Sequence, residues 1–252
     1  MPYSRYLVGQ LPWYSALIVL GICLAIWLST MEEKRLGLPR DTVLDLALWL
    51  VPLGIIGARA YYVLFSWDQF RDDPLSVLYI WHGGLAIYGG LIGGMAALLL
   101  FARRRKLKAL TLLDMVVPGV ALAQAIGRWG NFFNMEAYGG VVEQTALQWF
   151  PYAVLIPESG ELVWHQATFF YESAWDFLVF LCLWLGRKKR STGDNFLLYL
   201  LLYGVGRALI EGLRTDSLMS LSGQLRISQV LSILLAAGSL GCLLWRHFRR
   251  RR

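Results

Sequence analysis

The sequence predicts an all-α polytopic membrane protein: about seven transmembrane helices, N-terminus outside, C-terminus cytoplasmic, and a small extracytoplasmic segment between helices four and five. Three observations predict it. Hydrophobic residues make up 57% of the 252 residues and charged residues 16%, where a soluble domain carries about 25% charged. The charges bunch into short runs, and the apolar stretches between them reach about 18 residues or more, enough to cross a hydrocarbon core of about 30 Å. Finally, lysine and arginine are abundant in alternate connections only, as the positive-inside rule requires of a chain that crosses repeatedly.

Apolar runs and charge breaks place the spans near residues 12–30, 43–65, 83–102, 112–133, 168–185, 195–213 and 227–245. The first run lacks a basic leader and ends in charge, so a retained helix is expected instead of a cleaved signal peptide. The connection after it carries Lys34, Arg35 and Arg40, and the connection after the third span Arg103, Arg104, Arg105, Lys106 and Lys108. The fifth span is followed by Arg187, Lys188, Lys189 and Arg190, and the last by Arg246, Arg249, Arg250, Arg251 and Arg252. The intervening segments hold only Arg5, Arg71, Arg214 and Arg226, and residues 134–167 contain neither lysine nor arginine. Residues 134–167 therefore belong outside. Their Trp149, Pro151, Pro157, Glu158 and Glu161 suggest a small cap on a single integral membrane domain, 1–252.

The net charge of +7 and isoelectric point of 9.4 are explained by topology and contact with anionic membrane lipids, so no nucleic-acid partner is expected. Cys23, Cys182 and Cys242 fall inside apolar segments without metal-ligand spacing and read as small core hydrophobes. The run Gly89-Gly90-Leu91-Ile92-Gly93-Gly94 sets small residues four apart twice, which suits close helix–helix packing.

Ionisable groups inside the spans cost about 2.5–3.5 kcal/mol each at mid-depth and need partners or a wet cavity. Arg59 lies in the second span, Arg128 and Asn131 in the fourth, Glu172 and Asp176 in the fifth. Tyr203, Arg207, Glu211 and Arg214, spaced four, four and three apart, share one face of the sixth, with Asp216 just beyond. An Arg207–Glu211 pair on its own can be a self-neutralising structural ion pair. The fourth-span cluster is less easily explained so: Gly127, Gly130 and Gly139 surround Arg128, Asn131, Asn134 and Glu136. Glycine weakens a helix by about 1 kcal/mol, so a break in the backbone lining a cavity is expected there. Arginine suits phosphate through its planar fork of donors. Arg128 and Arg207, two unshared arginines beside amide and carboxylate neighbours, therefore fit an anionic lipid headgroup at the outer leaflet. His82 and Tyr88 open the third span, where either can move a nucleophile's proton. The chain shows no GxSxG elbow, P-loop, HExxH motif or convincing metal cluster, so neither metal nor cofactor is expected.

These motifs resemble one family along nearly the whole chain: the prolipoprotein diacylglyceryl transferases of bacterial plasma membranes. The resemblance rests on Trp13-Tyr14, GARAYYVLF around Arg59, WHGGLAIYGGLIGG, GRWGNFFNMEAYG, TFFYES around Tyr171-Glu172, and YGVGRALIEGLRTD. It implies transfer of the diacylglyceryl group of phosphatidylglycerol to the lipobox cysteine thiol in a preprolipoprotein signal peptide, with glycerol phosphate leaving. Matched by position, Arg128, Asn131, Glu136 and Gly139 fall on the family signature; Tyr203, Arg207 and Glu211 fall on a later cluster, and Tyr14 on a first-span tyrosine. The resemblance thus implies catalytic roles for Arg128, Arg207, Glu211 and one of Tyr88 or His82. It implies phosphatidylglycerol binding by Arg128, Asn131, Glu136, Gly139, Tyr14, Tyr203 and Arg59. Two departures stand out: some members carry histidine where this chain has Tyr88, and a usual His-Pro is here Gln166-Ala167, with His165 displaced by one.

Two other classes compete. An anionic-lipid-binding transporter is expected to show an internal repeat with paired broken helices, and no repeat is visible. A non-catalytic scaffold explains packing glycines and an ion pair, but gives no reason for Arg128 and Arg207 beside Asn131 and Glu136.

Overall fold

The computed structural model describes residues 4–158, 160–215 and 226–251. Seven long helices dominate: α1 (Trp13–Leu36), α2 (Thr42–Phe65), α3 (Ile87–Arg105), α4 (Ala109–Asn134), α5 (Thr168–Gly186), α6 (Asp194–Glu211) and α7 (Ile227–Arg251). Among the described residues, six are long and apolar enough to cross a membrane, all but α6. The eighteen residues of α6 include Asp194, Arg207 and Glu211. The architecture is that of an all-α polytopic membrane protein, to which the chain adds two small antiparallel hairpins, β1–β2 (Tyr6–Val8, Leu11–Pro12) and β3–β4 (Ala153–Glu158, Glu161–Gln166).

The chain divides into two compact units, Met1–Ser29 with Val116–Arg252, and Thr30–Met115. In the larger unit, α1 and α4 meet through small residues. A methyl group on Gly119 would stand 2.8 Å from the Ala25 backbone, and one on Gly21 3.2 Å from Ala123, so the backbones touch where Gly21, Ala25, Gly119 and Ala123 repeat at four-residue spacing. The indole of Trp129 donates to Ser173 Oγ at 3.1 Å, which donates to the Ala125 carbonyl at 2.7 Å, tying α4 to α5. Trp175 donates from α5 to the Leu202 carbonyl of α6 at 2.9 Å, over Gly206. Gly204 gives α7 close access through Ser232 and Ala236.

The cap expected at 134–167 is built on the β3–β4 hairpin. Gly139, Gly140 and Val142 continue the sheet beyond β4, with Gly139 N–H donating to the Gln166 carbonyl at 2.9 Å and Val142 N–H to Trp164 at 2.7 Å. Val154, Ile156, Ala167 and Phe169 form a buried cluster against Trp129, Phe132, Met135 and Tyr138, so apolar burial anchors the hairpin to the end of α4 and the start of α5.

In the smaller unit, α2 and α3 pack on glycine. A methyl on Gly57 would lie 2.5 Å from the Gly89 carbonyl oxygen, and Gly93 faces the Leu53 carbonyl as closely, the packing role expected of the glycine run. The carboxylate of Glu33 accepts the backbone N–H of Val43 at 2.7 Å and of Asp41 at 3.2 Å, satisfying orphan donors at the start of α2.

Three expectations are corrected. The third helix begins at Ile87, not near Gly83, because Gly83 and Gly84 take φ of +89° and +76°, a left-handed turn incompatible with the helix. Next, α4 runs unbroken through Gly127 and Gly130. Gly130 serves close approach: a methyl there would stand 2.7 Å from the Tyr14 ring. Finally, Cys23, Cys182 and Cys242 are exposed on their helices, not in the core.

Candidate active site

Three helix ends of the larger unit bring charge together. Glu172, one turn into α5 and 4% exposed, lies among three arginines. Its Oε1 pairs with Arg207 Nη1, and its Oε2 lies 3.2 Å from Arg128 Nε and 3.8 Å from Arg214 Nη1. Arg207 turns its other terminal nitrogen to Glu211 Oε2 at 2.7 Å, the expected i,i+4 pair. Arg226 donates to the Glu211 carbonyl. Arg128 and Arg207 are therefore not unshared, as the sequence suggests: one carboxylate, forty-four residues beyond Arg128, joins them. The arginine side chains keep 20% (Arg128), 16% (Arg207) and 12% (Arg214) of their surface exposed, so the cluster is accessible to an anion. A buried carboxylate among arginines fixes their forks. One turn further along α5, Asp176 is buried, with no hydrogen-bond partner at Oδ2 among the described residues.

The end of α4 forms the second part of the site. Asn131 Nδ2 donates to Glu136 Oε1 at 2.9 Å, and Asn134 Nδ2 to the same oxygen at 3.2 Å. Glu136 N–H closes on the Asn131 carbonyl at 3.0 Å. On either side of Glu136, Met135 and Ala137 hold φ of +55° and +57°, a conformation non-glycine residues rarely adopt. The Thr168 hydroxyl, fully buried, donates to the Ala137 carbonyl at 2.6 Å and holds that turn. Met135, Glu136, Ala137, Tyr138 and Thr215 line a cleft of about 210 Å³.

Gly139 stands where a side chain has no room: a methyl would lie 2.8 Å from Gln166 Oε1 and 2.9 Å from the Leu213 carbonyl. It bridges to Arg214, and its carbonyl meets His165 Nδ1 at 2.9 Å. Gln166 and His165 thus both pack on Gly139. Tyr14 packs on Gly130 beside the stacked rings of Trp13 and Phe133, 4.7 Å apart. Tyr203 stacks on Tyr199, 5.6 Å away.

Arg59, His82 and Tyr88 lie in the smaller unit. The buried Arg59 guanidinium donates to the carbonyls of Ser76 (2.8 Å), Val77 (2.8 Å), Gly83 (2.7 Å) and Gly84 (3.0 Å), with Phe70 5.0 Å from its centre. His82 ends a 3-10 turn, Ile80–His82, and its side chain lies outside the described part. Tyr88 is the second residue of α3, 6.4 Å from the Tyr61 ring. Asp216 lies outside the described residues.

Glu172 is the site residue that spacing alone misses. Its signal is elementary: two arginines in apolar stretches on different helices need a counter-ion, and α5 offers carboxylates only at Glu172 and Asp176.

Residues 5–245 match the family model for prolipoprotein diacylglyceryl transferase. The phosphatidylglycerol–prolipoprotein diacylglyceryl transferase of Enterococcus faecalis is 47% identical over 228 residues, covering 88% of this chain and 82% of the relative. Those of Halalkalibacterium halodurans (42% identical, 94% of this chain and 82% of the relative) and Geobacillus kaustophilus (46%, 92% and 86%) are similar along the same length. The chain, with its arginine cluster and the turn that follows α4, belongs to the prolipoprotein diacylglyceryl transferase family.

Proposed function

We propose that this protein transfers the diacylglyceryl group of phosphatidylglycerol to prolipoproteins, acting as a single multi-pass domain of the bacterial plasma membrane. The observation that carries the mechanism is the convergence of Arg128 and Arg207 on Glu172. The acceptor is the lipobox cysteine thiol of the signal peptide. Its sulfur forms a bond to the glyceryl carbon while the carbon–oxygen bond to phosphate breaks, and the phosphate oxygen keeps the electron pair. Negative charge grows on the departing glycerol phosphate, and Arg128 and Arg207 stabilise it with preorganised donors. The nucleophile is supplied by the substrate, so the enzyme needs none of its own; it must accept the thiol's proton and exclude water.

Tyr88 and His82 are the two candidates for the proton acceptor. Glu211 holds Arg207; Asn131, Glu136, Gly139, Tyr14 and Tyr203 shape the lipid site. Arg59, whose donors go to four carbonyls, contributes through the 76–84 loop. The proposed topology has seven spans, α6 included, with the N-terminus and the 134–167 cap outside.

The test is a transfer assay with purified protein, phosphatidylglycerol and a synthetic lipobox peptide, read as the peptide's mass gain of one diacylglyceryl unit. Wild type should give the gain, Arg128→Ala and Arg207→Ala none although both insert, and alanines at 249–252 should leave it nearly intact. Normal turnover by Arg128→Ala sinks the phosphate assignment, and no gain from folded wild type would point to lipid binding without transfer.

A further inference from the structure

The transfer proposed above turns a phosphodiester of one negative charge into a phosphate monoester, which loses its second proton at about pH 6. Arginines that stabilise the growing charge therefore hold the product more firmly than the substrate, and product release limits many enzymes. We infer that Asp176 is a positioning residue that weakens the hold of Arg128 and Arg207 on the phosphate product and so sets its release. This inference rests on the transferase reading above.

Asp176 is 4% exposed, and its Oδ2 has no hydrogen-bond partner among the described residues. Buried polar groups are hydrogen-bonded in the great majority of cases, so an unbonded carboxylate oxygen needs a reason. Its charged neighbours supply one: Arg128 of α4, Glu172 one turn earlier on α5, and Arg207 of α6. Arg207 donates to Glu172, and Arg128 Nε lies 3.2 Å from the same carboxylate. Glu172 thus fixes both arginines by contact, whereas no hydrogen bond from Asp176 Oδ2 ties either of them. Asp176 acts on the pair through its charge.

That charge sits where screening is weak. Glu172, Asp176, Val179 and Leu183 are spaced four, three and four apart, so they share one buried face of α5. Val179 and Leu183 join Val117 and Ala121 of α4 in an apolar cluster. On α6 the Tyr199 hydroxyl is committed to Gln124 Oε1 at 2.9 Å. The polar face of α5 therefore ends at Asp176, against apolar packing of low dielectric. A phosphate at the arginines and the Asp176 carboxylate compete for the same two guanidinium groups. At a given distance the carboxylate repels a dianion twice as strongly as a monoanion, so its opposition falls mainly on the product.

The experiment measures inhibition of peptide transfer by glycerol phosphate in Asp176→Asn, which keeps the shape and removes the charge. The inhibition constant should fall about ten- to a hundredfold, and the KM for phosphatidylglycerol by a smaller factor. Asp176→Glu restores the charge and should return the inhibition constant to within about threefold of wild type. The unfolding temperature of Asp176→Asn should hold or rise, because the variant removes a buried charge that no hydrogen bond satisfies at Oδ2. An inhibition constant that stays at the wild-type value or rises in Asp176→Asn overturns the inference and leaves the transferase reading intact. A folded wild type that transfers nothing overturns the transferase reading. Calorimetric binding of glycerol phosphate to the same proteins then decides whether Asp176 opposes a phosphate: tighter binding by Asp176→Asn supports it, and equal or weaker binding overturns it. Should Asp176→Asn fail to fold, Asp176→Ser takes its place under the same criteria.

Discussion

Arg128 Nε lies 3.2 Å from Glu172 Oε2, joining the fourth and fifth helices at the point where Arg207 of the sixth also arrives. Removing one partner of a buried pair leaves the other charge uncompensated, at about 3–5 kcal/mol. Glu172→Ala should therefore lower the unfolding temperature in detergent clearly. Glu172→Gln retains shape and loses charge, so the arginines face less competition for phosphate but are held less firmly. Its KM for phosphatidylglycerol should fall or hold while kcat drops about ten- to a hundredfold. A rise in KM at unchanged kcat contradicts this division.

Gly139→Ala introduces a methyl 2.8 Å from Gln166 Oε1 and 2.9 Å from the Leu213 carbonyl. Overpacking of this kind costs about 1–3 kcal/mol. The cost should show as earlier thermal unfolding, and Gln166→Ala in the same chain should recover part of it. A wild-type melting curve for the single variant would show that the neighbours yield freely.

Arg59→Lys keeps a charge but not a planar fork able to serve four carbonyls at once. Each buried acceptor left unsatisfied costs about 1–3 kcal/mol. Hydrogen exchange at 76–84 should accelerate by an order of magnitude or more, with exchange in α5 unchanged. Equal protection of the loop in both proteins would remove Arg59 from that role.

His165 is held by two acceptors: the Gly139 carbonyl 2.9 Å from Nδ1, and Glu158 Oε2 3.3 Å from Nε2. A carbonyl only accepts, so Nδ1 carries a proton in every state that keeps this contact. Nitrogen NMR of histidine-labelled protein should find Nδ1 protonated, and a neutral ring protonated at Nε2 alone would show the contact broken.

Much of the architecture is legible in the sequence, because apolar length and clustered basic residues are set by the membrane itself. The helices from Trp13, Thr42 and Thr168 begin within a residue or so of the apolar runs. The exceptions have local causes. Gly83 and Gly84 read as helix because composition does not reveal the sign of φ. Gly127 and Gly130 read as a break because propensity does not show that Tyr14 presses on the bare face of Gly130. Arg128, Arg207 and Glu136 stand out in the sequence because charge is costly in apolar surroundings. Glu172 is visible for the same reason, but its assignment as a counter-ion needs pairings thirty-five and forty-four residues apart. The β3–β4 hairpin lies in a stretch whose alternation is too short to separate strand from loop.

The outward-facing thiols of Cys23, Cys182 and Cys242 make the native chain its own reporter. Charged maleimides cannot reach a thiol surrounded by acyl chains, whereas lipid-soluble ones can. Paired labelling of the unmodified protein in vesicles and in detergent therefore measures bilayer immersion of α1, α5 and α7 without introducing a single probe residue.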